Sequence, residues 1–498
     1  MQLQFDKASL PIMKPIKREI KNLEQTQELR INDGMPDIGR VLGTWGQVIL
    51  RSKEWQNGSV GIAGGVQVSV LYVPEDGERV QKVESWIPFQ MKWELPESNA
   101  EGVACVSCLL RGADARNTSS KKILVRINVG VCGQMWEPTE MWQYTPADLP
   151  EDVCLLKQSR SVNIPREAGE KSFFLEEELI LPETAPKMEK MLHYHLQPEL
   201  IEQKIMSDKV VFRGVCILHM LYNGEDGRLH NWDFELPFSQ YGELRGEYEQ
   251  GATAKLMMAV TSLEAEPDLE GRLQLKAGLV GQYIVCQDAQ IEYIEDAYSP
   301  RRKITPVMET IDLLSVQDVL RQTVPAKQTA QLQGMLIDTM FYPDQPYAQQ
   351  IGNDTVLQMP GQFQMLYADD EGQYHTTINR WDGQHAITKE DGQQVFADVH
   401  TTGKINCVTD NAGMTVEANI LTDLMLCAQM EIPMLTGMDM AELAEPDPER
   451  PSLILRRAGE DSLWELAKAN GSTVEAIMEA NQLETLPQPD QMLLIPVV

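Results

Sequence analysis

The sequence has few basic residues for its length and no long apolar run. Within 498 residues, 74 acidic side chains stand against 43 Lys and Arg, and the formal net charge is −31 at pH 7. Such a charge repels phosphate backbones and anionic lipid headgroups. The chain also lacks the run of about 18 apolar residues that a membrane-spanning helix needs. We therefore expect no nucleic-acid partner and no direct membrane insertion.

The amino terminus and the cysteines indicate a reducing compartment. Residues 1–22, MQLQFDKASLPIMKPIKREIKN, lack the continuous apolar core of a signal peptide. The eight cysteines are scattered along the chain and do not form the framework of a disulfide-rich domain. We expect the protein to stay in the cytoplasm of the cell that makes it.

Catalytic motifs and complete metal-binding motifs are also missing. The sequence contains no GxSxG elbow, no P-loop and no HExxH. Cys105 and Cys108 have knuckle spacing without a second pair, and a strand would point them to opposite faces. His193 and His195 could begin a metal site, but no third ligand follows at a recognisable spacing. We predict no catalytic residues, no metal and no cofactor; an enzyme or metal protein built on these strands is the remaining alternative.

One β-hairpin motif occurs three times along the chain. Each copy has a Leu–Tyr pair, two acidic residues and a glycine five residues after the tyrosine. Glycine takes the positive φ that a short hairpin loop requires. A further strand recurs downstream of each hairpin, so the period of about 150 residues indicates tandem β-rich domains that each bury a core. The hairpins span 70–89, 220–238 and 365–381, and the later strands span 123–134, 273–287 and 414–429.

The residues before each tyrosine alternate between apolar and polar, as in a half-buried strand. The position three before the tyrosine is polar in every copy, as Ser69, His219 and Gln364. We predict that this polar face meets solvent and that the tyrosines are largely buried. The predicted buried face consists of Val66, Val68, Val70, Cys216, Leu218, Met220, Phe363 and Met365.

The pattern changes after residues 441–452, an acidic, Pro-rich segment that we predict to be a linker. A short strand at 453–457 leads to Ser462, which can cap a first helix, and Thr473 can cap a second. MLLIP at 492–496 closes the module as a strand, giving the order βααβ. Because the linker has no apolar pattern, we expect the tail to be independent of the repeats, with Trp464 in its core.

This tail resembles a LysM domain. GEDSLWELA (459–467), STVEAIMEANQL (472–483) and PDQMLLIP (489–496) correspond to the three parts of the LysM signature. In LysM domains the two loops at 459–464 and 481–491 form the glycan groove. Here Glu460 is an extra residue and Asp490 replaces the glycine of the family, and such acids favour a basic protein patch over a neutral sugar. The resemblance implies a docking or groove surface made of Gly459, Glu460, Asp461, Ser462, Leu463, Asn481, Leu483, Asp490 and Gln491.

The repeated segment is similar to the SPOCS domain of endospore-coat proteins. The central copy carries the LY strand, LPFS at 236–239 and DAYSP at 296–300. The first copy lacks the DAYS motif, and the third keeps its LY and Trp381. The expected fold class is mainly β, with three tandem SPOCS-like domains and a small C-terminal βααβ LysM domain. The expected domains are 1–155, 156–328, 329–440 and, after the linker, 453–498.

SPOCS domains followed by a LysM domain are the arrangement of the SipL and stage VI sporulation protein D group of coat morphogenetic proteins. The resemblance implies a non-enzymatic scaffold made in the mother cell and placed at the forespore surface in the spore coat. Its implied partners are the coat-base morphogenetic ATPase, bound through the LysM domain, and other spore coat proteins. The alternative is a LysM protein that binds a peptidoglycan-type glycan or its lipid-linked precursor.

Overall fold

The computed structural model consists mainly of long antiparallel β-strands, followed by a small C-terminal module with two helices among the residues described. It describes residues 3–56, 58–77, 79–95, 101–268, 272–330, 334–352, 354–390, 392–410, 413–443, 449–459, 461–488 and 490–498. The mainly β fold class is thereby confirmed. In this part of the chain, no helix is long and apolar enough to cross a membrane.

The strands group into three units. The first contains β1 (Phe5–Arg30), β2 (Ile38–Gln56), β3 (Ser59–Pro74), β4 (Gln81–Glu94), β5 (Val103–Ser119) and β6 (Lys122–Pro146). The second contains β7 (Cys154–Leu179), β8 (Met188–Gly224), β9 (Leu229–Tyr248), β10 (Thr253–Pro267) and β11 (Leu273–Tyr298). The third contains β12 (Ile304–Ala330), β13 (Met335–Pro343), β14 (Tyr347–Ile351), β15 (Asp354–Ala368), β16 (Tyr374–Ile387), β17 (Gln394–Asp410) and β18 (Gly413–Met440). The C-terminal module contains β19 (Leu453–Arg457), α1 (Leu463–Asn470), α2 (Val474–Ala480) and β20 (Met492–Pro496).

Each unit has two sheets, one of which has the same strand order in all three units. In this sheet, the last strand of the unit lies between the unit's first strand and its second-to-last strand. The orders are β1-β6-β5, β7-β11-β10 and β12-β18-β17. The other sheet contains the repeated hairpin, as β3-β4, β8-β9 and β15-β16. Gly77, Gly227 and Gly372 have φ values of 73°, 80° and 79° in the hairpin turns. Glycine tolerates this left-handed region without strain, which explains its recurrence.

The predicted boundary between the second and third domains at residue 328 is wrong. β12 pairs with β18 along its whole length, from Ile304 opposite Met440 to Ala330 opposite Met414. Residues 304–328 therefore belong to the third unit. The sequence does not show this boundary, because β12 is an ordinary amphipathic strand whose partner lies more than 80 residues away.

The apolar hairpin face is buried in all three units, as predicted. Tyr72 and Tyr222 are fully buried, and their hydroxyls donate to the carbonyl oxygens of Pro36 and Pro186 at 3.2 and 3.0 Å. The identical contact in two copies places these tyrosines at equivalent positions. Tyr367 departs from the prediction because it is only partly buried, and its ring stacks on that of His375.

The prediction that the opposite hairpin face meets solvent is wrong. Ser69 and Gln364 are only 4% and 2% exposed, and the side chain of His219 is 12% exposed. Ser69 contacts His193 of the second unit, and Gln364 donates to the Thr44 carbonyl of the first. These polar side chains are buried because they meet partners from another unit.

The three units share cores around a common centre. Leu71, Leu221 and Leu366, which precede the three tyrosines, are fully buried in one cluster. Two further hydrophobic clusters also contain equivalent residues of β6, β11 and β18. They contain Trp136, Cys286 and Cys427 in one case and Met141, Ile291 and Ile432 in the other. The units therefore form one packed body with approximate threefold repetition, and not the chain of separate domains that the sequence suggested.

Cys105 and Cys108 lie on opposite faces of β5, as their spacing predicts. Cys105 packs in the cluster with Trp136, and Cys108 packs against the cluster that contains Leu71. Burial raises the pKa of each thiol to about 12. Both groups are therefore neutral and unreactive at physiological pH.

Candidate functional site

The C-terminal module is built by strong local signals. Ser462 begins α1 with a capping box, because its hydroxyl accepts from the Glu465 N–H at 3.2 Å and Glu465 accepts from the Ser462 N–H at 2.8 Å. Thr473 caps α2 by accepting from the Ala476 N–H at 3.1 Å. β19 pairs with β20 across the module, so the predicted βααβ order is confirmed.

The two loops of the predicted groove lie side by side. The Asp490 N–H donates to the Ala458 carbonyl at 3.0 Å, and the Ala458 N–H donates to the Gln491 carbonyl at 2.8 Å. Asp490 has a φ of 65°, a conformation that glycine adopts freely and aspartate tolerates. The substitution of the family's glycine by Asp490 therefore keeps the loop geometry.

The predicted groove residues have different roles in the structure. Gly459, Asp461, Ser462 and Asp490 are exposed, whereas Leu463 is buried in the module core. Glu460 lies outside the described residues.

The remaining predicted residues support the fold. The Asn481 amide donates to the Leu494 carbonyl at 2.6 Å and accepts from the Leu494 N–H at 2.8 Å, which joins the end of α2 to β20. The Gln491 side chain accepts from the Gln488 N–H at 3.0 Å, and Leu483 packs against the core. Only the exposed part of the predicted set is available to a partner.

The predicted acidic character of this surface is largely offset by arginines from β19. Asp461 lies 3.4 Å from Arg456, and Asp490 lies 3.5 Å from Arg457. All four side chains are exposed, so these pairs contribute little stability. The surface thus presents carboxylates and guanidinium groups together.

A second contact of the module was not predicted. The Trp464 indole Nε1 donates to Asp296 Oδ2 at 2.8 Å, and Lys468 Nζ lies 2.7 Å from the same oxygen. The Trp464 ring meets the Tyr298 ring edge to face, with centroids 4.7 Å apart, and the Tyr298 hydroxyl donates to the Ser472 carbonyl at 3.0 Å. Trp464 is therefore part of an interface with the second unit and not only a core residue. The signal for this site in the sequence was the DAYSP segment of the central copy.

The segment that contacts the module is itself held firmly. Ser299 donates to Asp152 Oδ2 at 2.7 Å, and Arg302 Nε donates to the same oxygen at 2.6 Å. Burial alone would raise the pKa of Asp152, but these two contacts lower it below its usual value. The carboxylate stays ionised and fixes the chain just after Tyr298.

A polar cluster lies where the units meet. The rings of His193, His195 and His219 are adjacent, with centroid distances of 5.6 and 5.0 Å. His219 lies 2.6 Å from Asp233 through Nδ1 and 2.9 Å from Asp338 of the third unit through Nε2. Sequence reasoning found the first two histidines but missed the others, because they come from distant strands.

Charge in this cluster is unevenly distributed. Burial would lower the pKa of His219, yet Asp338 and Asp233 outweigh it and raise the pKa to about 10. Burial lowers the pKa of His195 to about 3, and the pKa of His193 is also well below its usual value. His219 is thus an imidazolium ion beside two neutral histidines. Among the described residues, no group of three or more His, Cys, Asp or Glu is arranged to hold a metal ion.

A cavity of about 700 Å³ adjoins the cluster and is lined by all three units, including Gln47, His195 and Asp338. Near it, Lys255 of the second unit forms a buried ion pair with Asp398 of the third. These buried charges are paired across unit boundaries, so removal of one partner would leave an uncompensated charge between the units.

Comparison with known families agrees with this architecture. The model of the SPOCS domain of SipL matches residues 37–116 and 187–267, within the first and second units. The LysM domain model matches residues 459–496. Searches of curated proteins and of solved structures gave no match.

The fold and the matches define a β-rich protein with SPOCS repeats and a LysM domain, both of them non-catalytic, binding-type domains. The matches support a SipL-like protein that combines SPOCS and LysM domains. This composition is consistent with a scaffold or binding protein associated with the spore coat.

Proposed function

We propose that the protein is a non-enzymatic adaptor in endospore coat assembly. It is made in the mother cell, and its LysM and SPOCS domains dock it to the coat base layer on the forespore surface. The observation that carries this proposal is the combination of one packed SPOCS body with a LysM domain whose two loops remain exposed. The partners are the coat-base morphogenetic ATPase and other coat proteins.

Two features of the LysM domain favour a protein partner. The first is the pair of exposed ion pairs made by Asp461 and Asp490, which a partner with its own charged groups can exchange for intermolecular pairs. The second is an apolar strip on the outer face of the two-stranded sheet. Leu455 is opposite Leu494 in this sheet, and they are 61% and 38% exposed. Exposed apolar surface of this kind is characteristic of protein interaction sites.

A LysM domain also suggests glycan binding, and the geometry keeps this second candidate open. Backbone hydrogen bonds of Ala458 with Asp490 and Gln491 hold together the two segments that form the groove in LysM domains. In this case the ligand is a peptidoglycan-type glycan or its lipid-linked precursor.

Imaging of a fluorescent fusion in the sporulating host tests the proposed function. We expect the full chain to surround the forespore from the mother-cell side, and a chain with the LysM loops altered by Asp461→Lys and Asp490→Lys to lose this position. Diffuse fluorescence of the full chain throughout the mother cell would contradict the proposal.

A further inference from the structure

The DAYSP segment of the second unit occurs once among three units of the same topology. Equivalent residues of the first and second units are 150 positions apart, as the matching contacts of Tyr72 and Tyr222 show. In the last strand, equivalent residues of the second and third units are 141 positions apart, as Cys286 and Cys427 show. By the offset of 141, Asp439 occupies the position of Tyr298 in the third unit. In the first unit, whose β6 lacks the bulge of β11, the strand register places Ala147 there. Neither the first nor the third unit therefore has an aromatic ring at this corner.

Asp296 is equally specific to the second unit. The strand register places Thr145 of the first unit and Gly437 of the third at its position, and neither has a carboxylate. The fold of the corner does not depend on Asp296 or Tyr298, because the third unit has the same strand pairing and a bulge at the matching place. The bulges lie between Ile294 and Asp296 in β11 and opposite Val307 and Met308 in β18.

Asp296 and Tyr298 instead contact the LysM domain. Asp296 accepts from Trp464 and from Lys468, and these are charge-assisted hydrogen bonds of 2.7 to 2.8 Å. Tyr298 is 5% exposed and lies in the cluster that contains the LysM core. Its ring covers Trp464 and its hydroxyl reaches the carbonyl of Ser472.

We propose that the DAYSP corner is an intrachain docking site for the LysM domain, which holds helix α1 through Trp464 and Lys468 and so fixes the domain in one orientation on the SPOCS body. This inference goes beyond the coat-docking function and does not depend on it. In the docked chain the Trp464 indole is engaged by Asp296 and Tyr298, whereas the loops at Asp461 and Asp490 stay accessible.

The contact is small enough to open without unfolding either part. Besides the packing of Tyr298 and Cys154 against the LysM core, it consists of a few hydrogen bonds to Asp296 and Ser472. The LysM domain keeps its own capping box in α1 and its own buried Leu466 and Ile477. A local opening of this kind is expected at the low end of the range of stabilities within one chain.

Hydrogen–deuterium exchange of the full chain tests the docking site. Asp296→Ala removes the acceptor for Trp464 and Lys468 and also the one for the Ala297 N–H, so the Ala297 amide is left out of the comparison. Tyr298→Phe removes only the hydroxyl that bonds Ser472. Asp439→Ala is the matched control, because it removes an exposed carboxylate at the equivalent corner of the third unit. We expect the amides of β11 near Tyr298 to exchange about tenfold faster or more in Asp296→Ala, with a smaller effect in Tyr298→Phe and none in the control.

Two readouts separate docking from simple loss of structure. In Asp296→Ala, exchange in the core of α2 should be unchanged while small-angle scattering shows a larger radius of gyration, since the folded LysM domain has detached. Equal exchange and scattering in Asp296→Ala and Asp439→Ala would overturn the proposal. Loss of α2 protection together with β11 would also overturn it, because the corner would then be part of the LysM fold and not a separate docking site.

Discussion

Replacing Asp338 by asparagine removes one carboxylate from the buried cluster that joins the second and third units. Asp338 is 2% exposed and lies 2.9 Å from the His219 imidazolium. Breaking a buried ion pair in this way costs roughly 3–5 kcal/mol. Asp233 still contacts His219 in the variant, so we expect a loss near the lower limit, about 3 kcal/mol of the free energy of unfolding.

The rise in the His219 pKa gives an independent check on this magnitude. The pKa moves from 6.5 to about 10, and each pKa unit corresponds to about 1.4 kcal/mol. Net of the opposing effect of burial, the two carboxylates therefore favour the charged imidazole by about 5 kcal/mol, and Asp338 is the larger of the two contributors. A loss of about 3 kcal/mol for Asp338 alone is consistent with this net gain.

Urea denaturation followed by tryptophan fluorescence measures the effect. Asp226→Asn is the matched control, since it removes a carboxylate that lies 3.0 Å from His230 in an exposed hairpin turn. We expect the control to lose little stability, because solvent screens an exposed pair. Similar losses in the two variants would show that the cluster does not hold the units together and would refute the argument.

Two further predictions follow from buried titratable groups. The lowered pKa values of His193 and His195 contribute stability above about pH 6.5, which is lost as the pH falls towards 3. The raised pKa of His219 contributes stability below about pH 6.5, which is lost as the pH rises through 10. Urea midpoints should thus be highest near pH 6.5, and a curve without an alkaline decline would contradict this. In thiol labelling of the native chain, exposed Cys407 should react first, and Cys407→Ser should abolish the fast phase; its persistence would show that another thiol is accessible.

The sequence predicted local structure well but did not predict the contacts between the units. The LysM helices follow from caps at Ser462 and Thr473, which act within three residues. The buried hairpin faces follow from alternation along single strands. Ser69 and His219 were placed in solvent because a polar residue on an exposed face and one that meets a distant partner have the same local pattern.

The docking of the LysM domain could not be predicted for a related reason. Trp464 and Asp296 are 168 residues apart, and a tryptophan at this position of a short helix fits a core role equally well. The only sequence signal was the presence of DAYSP in one repeat of three. Such a difference shows that the second unit is special but does not identify the element that contacts it.

The central claim is that the LysM domain of this chain docks a protein of the coat base. Its most direct test is a binding titration of the purified full chain with the purified coat-base ATPase and, in parallel, with an N-acetylglucosamine oligomer. The account predicts saturable binding of the ATPase and no binding of the sugar. The double variant Asp461→Lys with Asp490→Lys should weaken ATPase binding at least about tenfold, roughly the effect of losing one favourable charge pair. Saturable sugar binding without ATPase binding would contradict it and would identify the domain as a glycan receptor.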